Sequence, residues 1–262
     1  MTEEHTSAPT REEHPMITED RLVAALGGLA APAPPTLPDR VFGRWASAPS
    51  RLGDVLVAFT GDGVQYVRPA DDPDRFAADY RDRFGRPLRA ADRLPAGVLP
   101  ALRGGARAPE PDLTALSEFE RAVLGATQRI PAGQTRPYGW VAREAGHPAA
   151  VRAVGSVLAR NPVPLLVPCH RVVRADGALG EYMFGPEPKA RLLRAEGAPL
   201  DDVADLARTG VHYLASDTTG IVCFPTCRDA RRITPAHRQG FRTVAAAVSA
   251  GYRPCRTCRP AA

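Results

Sequence analysis

The chain has 262 residues, 44% of them hydrophobic, which is enough for two or three domains with sizeable cores. No apolar run approaches the roughly 20 residues that span a bilayer, and the acidic residues 1–5 are not followed by the apolar core of a secretory signal. We therefore expect a cytoplasmic, monomeric, globular protein without a membrane-spanning segment.

The formal charge is +5, and the basic residues are almost all arginine, with Lys189 as the single lysine. Residues 1–40 hold seven acids against three arginines, whereas residues 209–262 hold eight arginines against two aspartates. Arginine matches the geometry of phosphate, so the basic C-terminal end favours a nucleic-acid partner. The alternative is that the arginine content only reflects a GC-rich genome.

Residues 1–40 hold six prolines and no sustained hydrophobic period, so we expect a disordered tail with at most one short helix over 19–30. Residues 41–115 are interpreted as a small α/β scaffold that carries no chemistry; we call it the sheet domain. The elements predicted in it are a strand over 53–59, a turn over 61–63, a strand over 64–67 that completes a hairpin, a helix over 74–84 and a connector over 87–111.

Helices dominate residues 116–200, which we call the helical domain. Ser117 and Glu120 form a capping box that predicts the start of a helix. Further helices are predicted over 138–145, 149–160 and 188–196. The helices over 138–145 and 149–160, joined by a glycine turn, fit a DNA-binding helix-turn-helix. Two surface helices without a DNA contact would give the same pattern.

Cys169 follows Pro168, precedes His170 and ends the apolar run 165–167, which predicts a strand. A thiol is a weak nucleophile until a base takes its proton, and an imidazole is the usual base. The pair therefore predicts covalent chemistry at Cys169. The alternative is a buried structural thiol beside a packing histidine.

Residues 161–173 resemble the active-site signature of the O6-alkylguanine-DNA alkyltransferases, and the similarity runs from about Phe119 to Gly197. The resemblance implies an α/β multi-domain protein, with an RNase H-like sheet domain and a mainly helical, winged-helix-like helical domain. It implies a single-turnover methylated-DNA–protein-cysteine S-methyltransferase that repairs O6-methylguanine in double-stranded DNA. Whether O4-methylthymine is also a substrate stays open.

Carried over residue by residue, the resemblance makes Cys169 the methyl acceptor, which is consumed in one reaction. His170 takes the thiol proton through a bridging water, and Glu196 orients and charge-stabilises the imidazole. Asn161 braces the active-site turn, and Tyr138 protonates or hydrogen-bonds the departing guanine.

The resemblance also assigns DNA contacts and a substrate pocket. Arg152 fills the stack that the flipped base vacates, and Arg171 is assigned to DNA as well. Tyr182, Met183 and Phe184 line the pocket for the alkyl group. Many family members have small residues where Met183 and Phe184 stand, so we expect a site that favours methyl over benzyl groups.

Four cysteines lie in residues 209–262, the four-cysteine domain, which follows an expected linker over 201–208. They form two close pairs with 27 residues between them: Cys223, Cys227, Cys255 and Cys258. Two such pairs are typical of a tetrahedral zinc site, and a domain of this size needs such a staple to fold. The spacing alone favours a zinc ion with a purely structural role.

Residues 218–223 and 250–260 resemble the zinc domain of the bacterial Ada protein. The resemblance implies one zinc ion and a second methyl transfer, from a DNA methylphosphotriester to Cys223. The chain departs from Ada in the C-terminal place of the domain and in Phe224, where arginine is usual. One alternative for this domain is a zinc site that only anchors DNA. For the whole protein, the alternatives are a lesion-binding protein without transfer and a Cys-His-Glu hydrolase that turns over.

Overall fold

The computed structural model describes residues 19–28, 37–105 and 108–260. It divides into an N-terminal unit, which ends at Pro38, and a second unit from Asp39 onward. Helix α1 of the first unit spans Glu19–Gly28, close to the predicted short helix, and most of the tail predicted over 1–40 lies outside the described residues. Among the described helices, none is long and apolar enough to cross a membrane.

The sheet domain of the second unit is a four-stranded sheet in the order β3-β2-β1-β4. Its strands pair antiparallel except for β1 with β4, which are parallel. The elements from the unit boundary onward are α2 (Leu37–Val41), β1 (Gly43–Ser50), β2 (Gly53–Phe59), β3 (Val64–Pro69), α3 (Pro73–Phe84), β4 (Leu88–Ala90) and α4 (Val98–Leu102). The predicted hairpin and helix are confirmed, whereas the predicted connector holds β4 and α4.

Strand β2 is the centre of this sheet, and its alternating side chains enter two different cores. Val57 and Phe59 pack toward the helical domain, whereas Leu56 and Ala58 pack on the face covered by Phe76 of α3. Because side chains of a strand point alternately to opposite faces, a run of apolar residues suits a strand that is buried on both sides.

The helical domain contains the predicted helices and a short parallel pair of strands. Its elements are α5 (Glu118–Gln128), β5 (Arg136–Pro137), α6 (Tyr138–Glu144), α7 (Val151–Ala159), β6 (Val172–Val173) and α8 (Pro186–Ala195). The capping box of Ser117 and Glu120 is present. Strands β5 and β6 pair at Arg136 with Val172, so the start of α6 is tied to the chain just after Cys169.

The strand predicted over 165–167 is wrong. Leu165 has a φ of 73°, a left-handed conformation that breaks an extended chain. Cys169–Arg171 forms one turn of 3-10 helix instead. A strained residue just before a candidate nucleophile is consistent with a turn held by its surroundings.

The four-cysteine domain is a second four-stranded sheet, in the order β10-β8-β7-β9. Its elements, with the helix that precedes it, are α9 (Leu200–Arg208), β7 (Tyr213–Ser216), β8 (Ile221–Cys223), β9 (Arg238–Phe241), α10 (Val244–Ser249) and β10 (Arg253–Pro254). The segment 201–208, expected to be a linker, is therefore helical.

One continuous apolar core runs through the three domains and includes all four cysteines of the four-cysteine domain. Across the boundary, the indole Nε1 of Trp140 donates to the Cys258 carbonyl at 2.9 Å, and the Thr135 amide donates to Thr226 Oγ1 at 2.9 Å. The four-cysteine domain is thus docked directly on β5 and α6.

Candidate active site and metal centre

Cys169 opens the 3-10 turn, and its side chain is 6% exposed. Asn161 Nδ2 donates to Cys169 Sγ at 3.2 Å and to the Val167 carbonyl at 3.1 Å. Asn161 Oδ1 accepts from the Val163 amide at 3.0 Å. One buried amide therefore fixes both the sulfur and the turn that carries it, the place predicted for Asn161.

His170 and Glu196 form the next part of the site. His170 Nε2 lies 2.9 Å from Glu196 Oε1, while His170 Nδ1 is buried and has no hydrogen-bond partner among the described residues. Burial lowers the pKa of His170, and this outweighs the attraction of Glu196. The imidazole is therefore neutral at pH 7, with Nε2–H donating to Glu196 and Nδ1 free to take a proton.

Glu196 is a buried carboxylate, with a side chain only 3% exposed. Arg171 Nε and Nη2 each donate to it at 2.9 Å, and the Gly133 amide donates at 3.2 Å. Arg51 of the sheet domain adds a contact at 3.4 Å. Burial opposes ionisation, but the hydrogen bonds from His170 and Arg171 and the positive charge of Arg171 hold the pKa of Glu196 well below its usual range.

Two neighbours of Glu196 are constrained by this geometry. A Cβ on Gly133, which has a φ of 70°, would lie 2.5 Å from the Glu196 carbonyl oxygen, so only glycine fits. Arg171 Nη1 donates to the Ile130 carbonyl at 2.6 Å, so all three of its side-chain nitrogens contact protein acceptors. The structure places Arg171 in the support of Glu196, and its assignment to DNA stays a prediction.

Lys189 is a buried cation near the thiol that sequence reasoning did not assign to the site. It is fully buried and donates to the carbonyls of Val172 at 2.6 Å, of Glu181 at 3.2 Å and of Leu179. Burial lowers its pKa to about 8, while the nearby Cys169 acts in the opposite direction. The sequence feature that could have pointed to a special role for Lys189 is that it is the single lysine in an arginine-rich chain.

Burial raises the pKa of the Cys169 thiol, and the Asn161 hydrogen bond and the Lys189 charge oppose that rise. Tyr138, the first residue of α6, is half-buried, and burial with the charges of Cys169 and Glu181 raises its pKa. The resting thiol is therefore protonated at neutral pH, and the Tyr138 hydroxyl remains available as a donor.

The predicted pocket residues lie on the chain that follows β6. The ring of Tyr182 meets the His170 ring edge-on at 6.2 Å between centroids, and its hydroxyl is buried without a partner in the described part of the chain. The Phe184 ring lies 5.4 Å from that of Tyr182, and Met183 is partly exposed between them. The aromatic pair forms a wall beside the histidine.

Arg152 is the second residue of α7 and is exposed, next to Val151, which is 39% exposed. The opposite face of α7 is buried through Val154, Val157 and Leu158. Arg152 is thus presented to solvent by the second helix of the predicted helix-turn-helix.

The four remaining cysteines form one cluster, in which the Sγ atoms all lie within 4.8 Å of one another. Cys223 ends β8, and Cys255 follows β10, which pairs parallel with β8. The Cys255 amide donates to the Val222 carbonyl at 2.9 Å, which brings the two cysteine pairs together. All four are buried and none is in a disulfide.

This donor set fits a tetrahedral metal ion. Zinc–sulfur bonds of about 2.3 Å place the sulfur atoms of a tetrahedral site about 3.8 Å apart, within the spread found here. Cys223 lines a cavity of about 480 Å³ with Arg232 and His237, and Cys255 lines another of about 640 Å³. Each cavity thus borders one cysteine residue of the cluster.

Comparison with known proteins agrees with both centres. The family model described as "6-O-methylguanine DNA methyltransferase, DNA binding domain" matches residues 118–198, and that described as "Metal binding domain of Ada" matches residues 203–261. The methylated-DNA–protein-cysteine methyltransferase of Methanosarcina acetivorans is 36% identical over 155 residues, which are 57% of this chain and 95% of that protein. The chain belongs to the methylated-DNA–protein-cysteine methyltransferase family.

Two further relatives of this methyltransferase extend the comparison. The Salmonella typhimurium methylated-DNA–protein-cysteine methyltransferase is 44% identical over 154 residues, 58% of this chain and 80% of that protein. The Escherichia coli bifunctional transcriptional activator/DNA repair enzyme Ada is 34% identical over 163 residues, 58% of this chain but only 45% of Ada. A solved structure of Mycobacterium tuberculosis OGT in complex with DNA is 29% identical, with a TM-score of 0.49, covering 61% of this chain and 98% of that one.

The methyltransferase therefore combines an O6-methylguanine repair domain with an Ada-type metal-binding domain. The structure brings Cys169, His170, Glu196, Asn161 and Tyr138 into one neighbourhood, while the roles assigned to them stay predictions. It adds Arg51 and Lys189 to that neighbourhood, and it places the buried Arg136 beside the metal domain. The contact of Arg51 with Glu196 joins residues 145 positions apart, which no local pattern reveals.

Proposed function

We propose that this methyltransferase moves the methyl group of O6-methylguanine in double-stranded DNA to Cys169 Sγ, once per protein molecule. The observation that supports it most is the unpartnered Nδ1 of His170. The other nitrogen of this buried imidazole is hydrogen-bonded to Glu196 at 2.9 Å, and the sulfur of Cys169, the preceding residue, is fixed by Asn161 at 3.2 Å. A base and a nucleophile are thus held in place by independent contacts.

The reaction is a displacement at carbon. The thiol proton of Cys169 passes through a bridging water to His170 Nδ1, and Glu196 stabilises the imidazolium that forms. Sγ then bonds to the methyl carbon, the bond from carbon to O6 breaks, and its electron pair stays on the guanine. Tyr138 protonates or hydrogen-bonds the departing base. The thioether is not hydrolysed, so the protein is spent after one transfer.

The target base reaches Cys169 only if it leaves the DNA stack, at a cost of a few kcal/mol that is lower for a weakly paired lesion. Helices α6 and α7 present Arg152 on an exposed surface. Arg152 fills the gap in the stack, and arginine contacts to phosphate hold the register.

The test counts repaired guanines per protein molecule. A duplex with a single O6-methylguanine is incubated in excess over wild type and Cys169→Ala, and the nucleosides are quantified after digestion. We expect a plateau at one equivalent for wild type and none for Cys169→Ala. Continued turnover would instead identify a hydrolase, and tight binding without conversion a lesion-binding protein.

A second transfer is supported by the Ada-type domain and by the cavity beside Cys223. We infer that the bound metal is zinc, held by Cys223, Cys227, Cys255 and Cys258, and that zinc keeps these thiols ionised at neutral pH. Cys223 Sγ bonds to the methyl carbon of a DNA methylphosphotriester, the bond from oxygen to methyl breaks, and an ionised phosphodiester leaves. The triester is neutral, so it escapes the repulsion that an ordinary phosphate meets at an anionic cluster.

The alternative, a metal domain that only anchors and stabilises, is favoured by its docking on Trp140 and Thr135. Oligonucleotides with one methylphosphotriester and no base lesion separate the two. We expect one methyl group on wild type, located by fragment-ion mapping at Cys223. No added methyl group would leave the domain with the anchoring role, whereas a methyl group on Cys255 would assign the transfer to that sulfur instead of Cys223.

A further inference from the structure

Arg136 is the most buried cation of the helical domain that the reaction at Cys169 does not use. It lies in β5 and is 1% exposed. Its Nη1 donates to the Thr135 carbonyl at 2.8 Å and its Nη2 to Gln134 Oε1 at 2.7 Å, and both acceptors are neutral. Its Nε has no hydrogen-bond partner, and no described carboxylate forms an ion pair with it.

The surroundings of Arg136 belong to the metal domain. The guanidinium carbon lies 5.3 Å from the centre of the Phe224 ring, and Phe224 is in the loop between Cys223 and Cys227. On another side it lies 5.6 Å from the ring of Trp140, whose Nε1 donates to the Cys258 carbonyl.

The positive charge of Arg136 and the negative charge of a four-thiolate metal site can compensate each other. A buried cation without an anion costs several kcal/mol, so such groups are almost always paired. Four thiolates around one divalent cation carry a net charge of minus two, which equally needs compensation in a buried site. Burial lowers the pKa of Arg136, and the negative charges of Cys258, Cys227, Cys255 and Cys223 act against that shift. The ring contacts place the guanidinium beside the loop between Cys223 and Cys227 and beside Trp140, which bonds to the Cys258 carbonyl.

We propose that Arg136 is a positioning residue of the metal centre: the helical domain supplies the buried counter-charge that completes the four-cysteine site. The metal centre is then shared between two domains, although all four ligands come from one. Residues next to ligands commonly tune metal affinity through charge and hydrogen bonding. The inference does not depend on whether Cys223 accepts a methyl group.

The test measures zinc affinity of the full-length chain by competition with a chromogenic chelator. Arg136→Met removes the charge and keeps much of the volume, and we expect zinc affinity to fall about 10- to 100-fold. Arg136→Lys keeps the charge and should recover part of that loss. Arg143→Met is the matched control, because Arg143 also donates across the boundary, to the Arg259 carbonyl at 3.0 Å; its zinc affinity should equal that of wild type.

Methyl uptake at Cys169 shows whether the helical domain of each variant is folded. A second set of measurements, in a Cys223→His variant, separates the effect of the Arg136 charge from that of its packing. Cys223→His replaces one thiolate by a neutral ligand, so Arg136→Met should weaken zinc binding by a smaller factor there than in wild type. Wild-type affinity in Arg136→Met would overturn the proposal. So would an Arg136→Lys variant as weak as Arg136→Met, or an equal loss in both backgrounds.

Discussion

Cys169 and Cys223 are both buried cysteines, 6% and 2% exposed, yet their surroundings differ in kind. Cys169 accepts one hydrogen bond from a neutral amide, and burial raises the pKa of its thiol. Cys223 lies with three other sulfur atoms, all within 4.8 Å of one another. If both proposed transfers occur, the same side chain is prepared in two ways, by a base at Cys169 and by a bound metal at Cys223.

The two centres nevertheless share a structural element. Tyr138 begins α6 beside the active site, while Arg136 and Trp140, two residues to either side, contact the metal domain. The contacts lead us to expect that the two proposed reactions are independent in mechanism, whereas the stabilities of the two domains are coupled.

Removal of the metal has the largest expected effect. Structural zinc contributes on the order of 10 kcal/mol to folding of small domains, so a chelator should unfold residues 209–262. Because Arg136 then loses its counter-charge, hydrogen exchange should also rise over residues 134–144. Residues 53–69 of the sheet domain are the internal control and should stay protected. Unchanged protection of 134–144 would show that the metal domain is an independent appendage.

His170→Ala should slow methyl transfer to Cys169 by about 10²- to 10⁴-fold, the usual range for loss of a general base. Transfer to Cys223 should be unaffected, because its thiol needs no base. His212→Ala, a histidine outside both centres, serves as the control in single-turnover kinetics. An equal loss at both cysteines would contradict the separation of the two mechanisms.

Glu196→Gln should destabilise the chain by about 3–5 kcal/mol at neutral pH, because Arg171 is left without its buried carboxylate. The pKa of Glu196 is depressed in the folded state, so its contribution is present above the pKa of the unfolded carboxyl group and is lost as pH falls. Urea unfolding should show the difference between wild type and variant narrowing below about pH 4. A difference that grows in acid would be evidence against an ionised Glu196.

Arg152→Ala should slow repair in duplex DNA by about tenfold, since filling the vacated stack offsets a cost of a few kcal/mol. Repair in single-stranded DNA should change less, because no stack must be refilled. Arg160→Ala, at the other end of α7, is the matched control. Equal effects on both DNA forms would assign Arg152 to general phosphate binding.

Phe184→Gly should give the smallest effect, a rise of about severalfold in benzyl transfer with little change in methyl transfer, since a small cavity favours small groups. The Phe184 ring packs on Tyr182, which packs on His170, so the side chain bounds the site. Comparable rates of wild type on O6-benzylguanine and O6-methylguanine DNA would contradict the narrow pocket.

Local signals carried most of what the sequence predicted of the fold. The hairpin of β2 and β3 followed from apolar runs around a glycine turn, and α5 from its capping box. Strand β1 was missed because its small residues and Pro49 weaken the strand pattern, and pairing with β2 stabilises it. The strand predicted over 165–167 is wrong because the left-handed conformation of Leu165 leaves no signal in the apolar pattern.

The candidate site divides in the same way. Cys169, His170 and Asn161 lie within one short segment. The spacing of the other four cysteines is by itself enough to predict a metal site. Lys189, Arg51 and Arg136 were not assigned, because each acts through partners that only the fold brings near, as Arg51 does with Glu196. Their role is electrostatic, and charge compensation between distant segments has no sequence motif.

The most direct measurement is the intact mass of the chain after incubation with duplex DNA that carries both O6-methylguanine and methylphosphotriesters, followed by mapping of the modified cysteines. We expect two added methyl groups, one on Cys169 and one on Cys223. Cys169→Ala should lose only the first and Cys223→Ser only the second. A wild-type protein without a methyl group on Cys169 would contradict the central claim.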